Sequence, residues 1–166
     1  MKNNKTRTIP FRRKREGKTD YKKRLGLLKS KSLRLVIRKS NKHIIAQLVS
    51  YSDNGDKVEE SVSSNNLKEQ GWDKNTGNIP AAYLTGLLIG KKANGKKAIL
   101  DLGLQSPKKG SRLFAVLKGA IDGGLVVNSD DQIFPSEDTL SGKHISEDIV
   151  KSFNKVKEKV LAVKKW

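Results

Sequence analysis

Two apolar runs, Leu33-Arg34-Leu35-Val36-Ile37-Arg38 and Ile44-Ile45-Ala46-Gln47-Leu48-Val49, are joined by Lys39-Ser40-Asn41-Lys42-His43. In the first run Leu33, Leu35 and Ile37 fall on one side and Arg34, Val36 and Arg38 on the other, the two-residue period of a β-strand. Ser40-Asn41-Lys42 turns the chain. The second run is apolar on both faces, which places it centrally in a sheet. Asp53-Asn54-Gly55-Asp56 is a strong turn, and Lys57 to Ser63 reads as a more polar, edge-like third strand. The expectation is a three-stranded antiparallel meander.

On the N-terminal side, residues 1–17 read as an extended arm, with Pro10 against helix and only Ile9 and Phe11 as bulky apolar groups after Met1. A helix should start near Thr19 or Asp20, either of which can cap it, and carry Tyr21, Leu25 and Leu28 on one face. Gly26 weakens that helix, so it needs a docking partner. On the C-terminal side, Pro80 suits a first helical turn and opens Ala81-Ala82-Tyr83-Leu84 and Leu87-Leu88-Ile89, a buried helix ended by Asn94-Gly95. Ala98 to Leu102 is a short buried strand. Gly110 and Ser111 start a helix through Leu113, Phe114, Leu117 and Ile121, stopped by Gly123-Gly124, and Leu125-Val126-Val127 is a candidate last strand. Residues 128–142 read as a long acidic loop with Asp130, Asp131, Glu137 and Asp138. The final helix aligns Ile145, Ile149, Phe153, Val156, Val160 and Val163, with Glu147, Asp148, Lys164 and Lys165 placed to suit its macrodipole. A helix–strand–helix unit added to a meander predicts a single layered α/β domain over residues 18–166, with the basic arm at 1–17.

Charge separates the two parts of the chain. The 35 basic and 17 acidic residues give +18. Residues 1–42 alone hold 17 Lys or Arg against Glu16 and Asp20. Such a block calls for a polyanion. A membrane surface fits poorly, because residues 1–24 have no continuous apolar face to insert. No run is long enough to span a bilayer, and Arg7, Arg12, Arg13, Lys14 and Arg15 interrupt any apolar leader. The chain has no cysteine, which excludes disulfides and thiolate metal sites and fits a reducing cytosol.

Enzyme signatures fail on their spacing. Gly86-Leu87-Leu88-Ile89-Gly90-Lys91-Lys92 has three residues between its glycines where a phosphate-binding loop has four, and it lacks the Ser/Thr. Asp101 lacks the converging carboxylates of a two-metal nuclease, so it reads as a structural, hydrogen-bonded Asp. His43 and His144 have no paired spacing, and neither a metal nor a cofactor is expected. The dense run with Arg12, Arg13 and Arg15 instead suits phosphate forks. With no helix-turn-helix, zinc finger or basic zipper, and no aromatic strand motif, folded RNA recognised by backbone and shape is the expected ligand.

Four blocks carry a resemblance: Phe11-Arg12-Arg13-Lys14-Arg15-Glu16-Gly17-Lys18-Thr19-Asp20-Tyr21, Arg34 through Gln47, Thr76 through Leu88, and Lys109-Gly110-Ser111-Arg112-Leu113-Phe114-Ala115. In order, they closely resemble the universal large-subunit ribosomal protein family eighteen, in its archaeal-type form. The resemblance is weakest over residues 52–70 and the C-terminal helix. It implies a non-catalytic, cytoplasmic ribosomal protein of the central protuberance that binds 5S rRNA and helps join it to the large-subunit rRNA, beside neighbouring ribosomal proteins. It also implies a ribonuclease-H-like strand arrangement without an active site. The RNA-contacting segments it implies are the arm, the Arg38–His43 turn and the Lys108–Arg112 loop. With the basic start of the first helix, the expected contacts are Arg7, Phe11, Arg12, Arg13, Lys14, Arg15, Lys18, Lys22, Lys23, Arg24, Arg38, Ser40, Asn41, Lys42, His43, Lys108, Lys109 and Arg112. Phe11 has two readings, stacking on an unpaired base or packing on the core. The alternatives are a nonribosomal RNA-processing or assembly factor and a metal-dependent nuclease using Asp101.

Overall fold

A computed structural model describes residues 8–162. Among these, four strands form one open sheet: β1 Leu33–Lys39, β2 Ile44–Ser52, β3 Gly55–Ser63 and β4 Ala98–Asp101. Their order is β3-β2-β1-β4. Both β1/β2 and β2/β3 run antiparallel, whereas β4 lies parallel to β1 with Leu33 opposite Ala98 and Val36 opposite Asp101. The helices are α1 Arg12–Arg15, α2 Tyr21–Lys29, α3 Ile79–Ala93, α4 Arg112–Asp122, α5 Glu137–Ser141 and α6 Glu147–Ala162.

The strand alternation places Leu35 and Ile37 in the core beneath α3 and α4, with Ala46 and Leu48 from β2 beside them. The core continues through α3, whose residues Pro80 to Gly90 are all buried, and α6 closes its outer side with Ile149, Phe153, Val156 and Val160. The helix ends follow local chemistry. The Asn78 side chain accepts from Ala81 N at 2.9 Å, and Asn94 ends α3 in the left-handed region at φ 48°. Asp20 caps α2 by accepting from Lys22 N and Lys23 N at 3.0 and 3.1 Å.

The glycines of Gly86–Gly90 have a packing role. A Cβ at Gly86 would run into Val116 O, and one at Gly90 into Ala120 O. Gly119 and Gly123 of the facing segment meet Tyr83 O and Leu87 O in the same way. Two glycine pairs therefore let α3 and α4 touch backbone to backbone.

Several expectations need correction. The arm is not extended throughout: Arg12–Arg15 makes one helical turn, with Arg15 N donating to Phe11 O at 3.1 Å. Pro10 precedes that turn, so its missing N–H costs the turn nothing. Leu25 is 58% exposed, and α2 rests on Leu27 and Leu28 instead, with no residue fully buried. Ile45 is 41% exposed, so β2 is an inner strand covered on its second face only near Val49 and the paired Arg34. Leu125–Val127 makes a single parallel bridge, Lys97 to Val126, rather than a strand. The 128–142 segment contains a 3-10 turn at Asp131–Ile133 and the short α5. Ile145 is exposed ahead of α6, and Val163, Lys164 and Lys165 lie outside the described residues.

Candidate nucleic-acid interface

The ends of β1 and β4 that carry Lys39 and Asp101 lie side by side because the two strands are parallel. The loops that leave them therefore meet. Ser40 closes the β1–β2 turn: its N–H and hydroxyl donate to His43 O at 2.8 and 3.1 Å, and its Oγ accepts from His43 N at 3.0 Å. Asn41 and Lys42 are left exposed at the tip. The turn is propped by the segment before α3, where Thr76 Oγ1 donates to Lys42 O at 2.9 Å and sits 3.1 Å from His43 Nδ1. Gly77 packs on the same turn, since a Cβ there would lie 3.1 Å from Asn41 O. Arg112 then donates to Gly77 O at 2.6 Å. The expected Arg38–His43 and Lys108–Arg112 segments are thus joined through Thr76 and Gly77 into one end of the molecule. Lys108 and Lys109 are exposed there. His43 and Arg112 spend polar atoms internally, so they brace the surface while Asn41, Lys42, Lys108 and Lys109 present side chains.

Helix α2 lies against the sheet's second face beside this end, and residues 8–17 are exposed ahead of it. Lys23 Nζ donates to Gly103 O at 2.9 Å, and Arg24 pairs with Asp56 at 2.7 Å. Arg13 donates to Thr19 Oγ1 at 2.9 Å, while Arg12 and Lys18 flank Glu16 at 3.6 and 2.9 Å. Lys14, Arg15 and Lys22 are exposed. Phe11 packs its ring 5.2 Å from that of Tyr21 yet stays 72% exposed, so it touches α2 and leaves most of its surface open. Arg7 lies outside the described residues.

One group escaped the sequence reading. Arg34 is 2% exposed. It pairs with Asp56 at 2.7 Å and with Asp101 at 3.2 Å, and Asp101 also pairs with Arg38 at 3.2 Å. With Arg24, these groups form a chain of three guanidinium and two carboxylate groups running from α2 to β4. Burial by itself would raise the Asp56 carboxyl, but the hydrogen bonds and charges of Arg34 and Arg24 outweigh it and hold the group below its ordinary value. The available clue was register: Arg34 and Asp101 lie on adjacent strands, one opposite Ile99 and the other opposite Val36. Knowing that required knowing that β4 joins β1.

Asp101 accepts from Arg34, Arg38 and Gly103 N, so its oxygens are engaged by protein donors. Among the described residues no three His, Cys, Asp or Glu side chains gather as a metal site, and no helix is long and apolar enough to cross a membrane. The acidic segment begins beside the basic end, where Gly110 N donates to Ile133 O at 3.0 Å. Glu137 and Asp138 lie farther along it, around a groove with Tyr83 and Phe153. There the Tyr83 hydroxyl donates to Asp122 at 2.8 Å, and burial followed by that carboxylate pushes its pKa well up.

A small α/β domain with an added basic segment and loops converging at one end defines a polyanion-binding protein of the ribonucleoprotein type. A family described as ribosomal large subunit proteins 60S L5 and 50S L18 matches residues 5–98 and 91–130. The chain belongs to this family of ribosomal structural proteins, and its place is the large subunit of the cytoplasmic ribosome. The match spans the arm from residue 5, the sheet, α3 and α4; α5 and α6 lie outside it.

Proposed function

We propose that the chain binds 5S rRNA and helps attach it to the large-subunit rRNA in the central protuberance, next to neighbouring ribosomal proteins. The observation that carries this reading is the joining of the Arg38–His43 turn, the Lys108–Arg112 loop and the arm-bearing α2 around one end of the sheet. Phosphate contacts from flexible lysines give affinity, whereas groups fixed on a rigid turn can read shape. In this reading residues 1–17 are the RNA-seeking arm and residues 18–166 the domain that presents the turn. The sheet is read as the ribonuclease-H-like arrangement, a meander of β1, β2 and β3 extended by parallel β4; the strand order and the Lys97–Val126 bridge beyond β4 support it.

The test compares 5S rRNA with an unrelated folded RNA. Asn41 and Lys42 changed together to Ala should cut the preference for 5S rRNA by about tenfold, the scale of one lost specific contact pair. Replacing Lys14 and Lys22 with Ala should weaken both RNAs alike. Equal loss on both RNAs from the turn variant would remove the turn from recognition.

A further inference from the structure

Between α2 and the loop after β4 lies a cleft of about 170 Å³ lined by Arg13, Lys18, Lys23, Arg24, Arg38 and Gly103. Five cationic side chains converge on it. Its two carboxylates are already engaged, Asp20 with the backbone N–H groups that start α2 and Asp101 with Arg34, Arg38 and Gly103 N.

Arg38 is held there with unusual completeness for a half-open side chain. Its Nη1 donates to Ile37 O at 2.9 Å and Asp101 O at 2.7 Å, and its Nη2 donates to Asp101 Oδ1 at 3.2 Å. A guanidinium has five N–H donors. The two left over, one on Nε and one on Nη2, have no protein acceptor among the described residues, although the side chain is 44% exposed. Gly103 completes the seat. Its φ of 60° favours glycine, and a Cβ there would lie 3.0 Å from both Cζ and Nη2 of Arg38. The guanidinium thus lies against bare backbone.

We propose that this cleft is a phosphodiester subsite in which Arg38 presents its remaining donors to one RNA phosphate, with Asp101 and Gly103 as its positioning residues. The proposal rests on the RNA-binding reading above and deepens it. Fixing the fork beforehand removes the rotamer entropy that a free Arg loses on binding a phosphate. Lys cannot replace it, because an ammonium group is a point charge without planar fork geometry. The surrounding lysines and arginines favour a phosphate over a neutral base edge.

The experiment uses the full chain with 5S rRNA and, separately, tRNA, each ethylated at single phosphates. Arg38→Lys conserves charge and should lower affinity for both RNAs about tenfold, with the salt dependence unchanged. On 5S rRNA, at least one phosphate whose ethylation weakens the wild-type protein should become indifferent in Arg38→Lys. Asp101→Asn gives a second readout. It raises net charge, so diffuse electrostatics alone would tighten RNA binding, whereas loss of positioning weakens it. An Arg38→Lys protein with wild-type affinity and the same interference pattern would overturn the subsite, even if Asp101→Asn fails to fold. A wild-type protein that binds tRNA as well as 5S rRNA would instead overturn the 5S assignment, and the tRNA arm would still decide the subsite.

Discussion

At the scale of single residues, Arg34 and its partners show how a polar group can sit inside a sheet protein. A guanidinium this deeply buried is tolerable only because carboxylates meet it from two strands. Arg34→Ala leaves Asp101 short of a partner beneath α2 and should cost about 3–5 kcal/mol of unfolding free energy, measured by urea denaturation. Asp56 adds a pH dependence. Its folded pKa is depressed, so the unfolded carboxyl binds its proton first as pH falls, and the stabilisation present at neutral pH drains away below about pH 4. Asp56→Asn should therefore melt lower than wild type at pH 7, with the gap narrowing toward pH 3; a constant gap across that range would place the contribution elsewhere. The structural, hydrogen-bonded role of Asp101 was legible in the sequence, whereas the burial of Arg34 and its pairing with Asp56 were not. The period-2 pattern assigned Arg34 a face correctly, but whether that face is covered depends on where α2 docks, and local pattern carries no record of that.

At the scale of elements, the sequence was most readable where chemistry is local. Asp20, Pro80 and Asn94 mark helix ends by hydrogen bonds and backbone angles made within a few residues, and the Asp53–Gly55 turn follows the same rule. The glycines were harder. Gly86 and Gly90 failed as a phosphate loop by spacing, yet their four-residue interval faces the same interval at Gly119 and Gly123 across the α3–α4 contact. Substituting Ala at an ordinary helical glycine gains up to about 1 kcal/mol in helix propensity. Here the added methyl meets backbone that cannot move aside, so Gly119→Ala should destabilise by about 2–3 kcal/mol in thermal or urea unfolding. A neutral or stabilising result would mean that the helices separate without loss. The arm was misjudged because Pro10 and the scarcity of bulky apolar groups read against helix, but the turn starts after Pro10 and needs only the Phe11 carbonyl as its first acceptor.

At the scale of the whole molecule, charge is separated and the fold preserves the separation. Residues 1–42 carry the cationic excess, and α2, the β1–β2 turn and the loop before α4 gather around the ends of β1 and β4. The acidic segment borders that surface at Ile133 and continues toward Glu137 and Asp138 on the groove beside α6. Crosslinks from Glu137 and Asp138 should reach protein neighbours in the large subunit rather than rRNA, because phosphate would be repelled there. The most direct measurement of the central claim is a titration of 5S rRNA and an unrelated folded RNA, from 50 to 200 mM salt, with the full chain and with a chain lacking residues 1–17. Neutralising about six to ten phosphates should weaken full-chain binding about 10³-fold over that range, the scale known for B-DNA, with a milder slope for less regular RNA. The truncated chain should bind both RNAs more weakly and with a shallower slope, keep its preference for 5S rRNA, and melt within a few degrees of the full chain. Binding that is nearly independent of salt, or truncation that leaves affinity intact, would contradict the account.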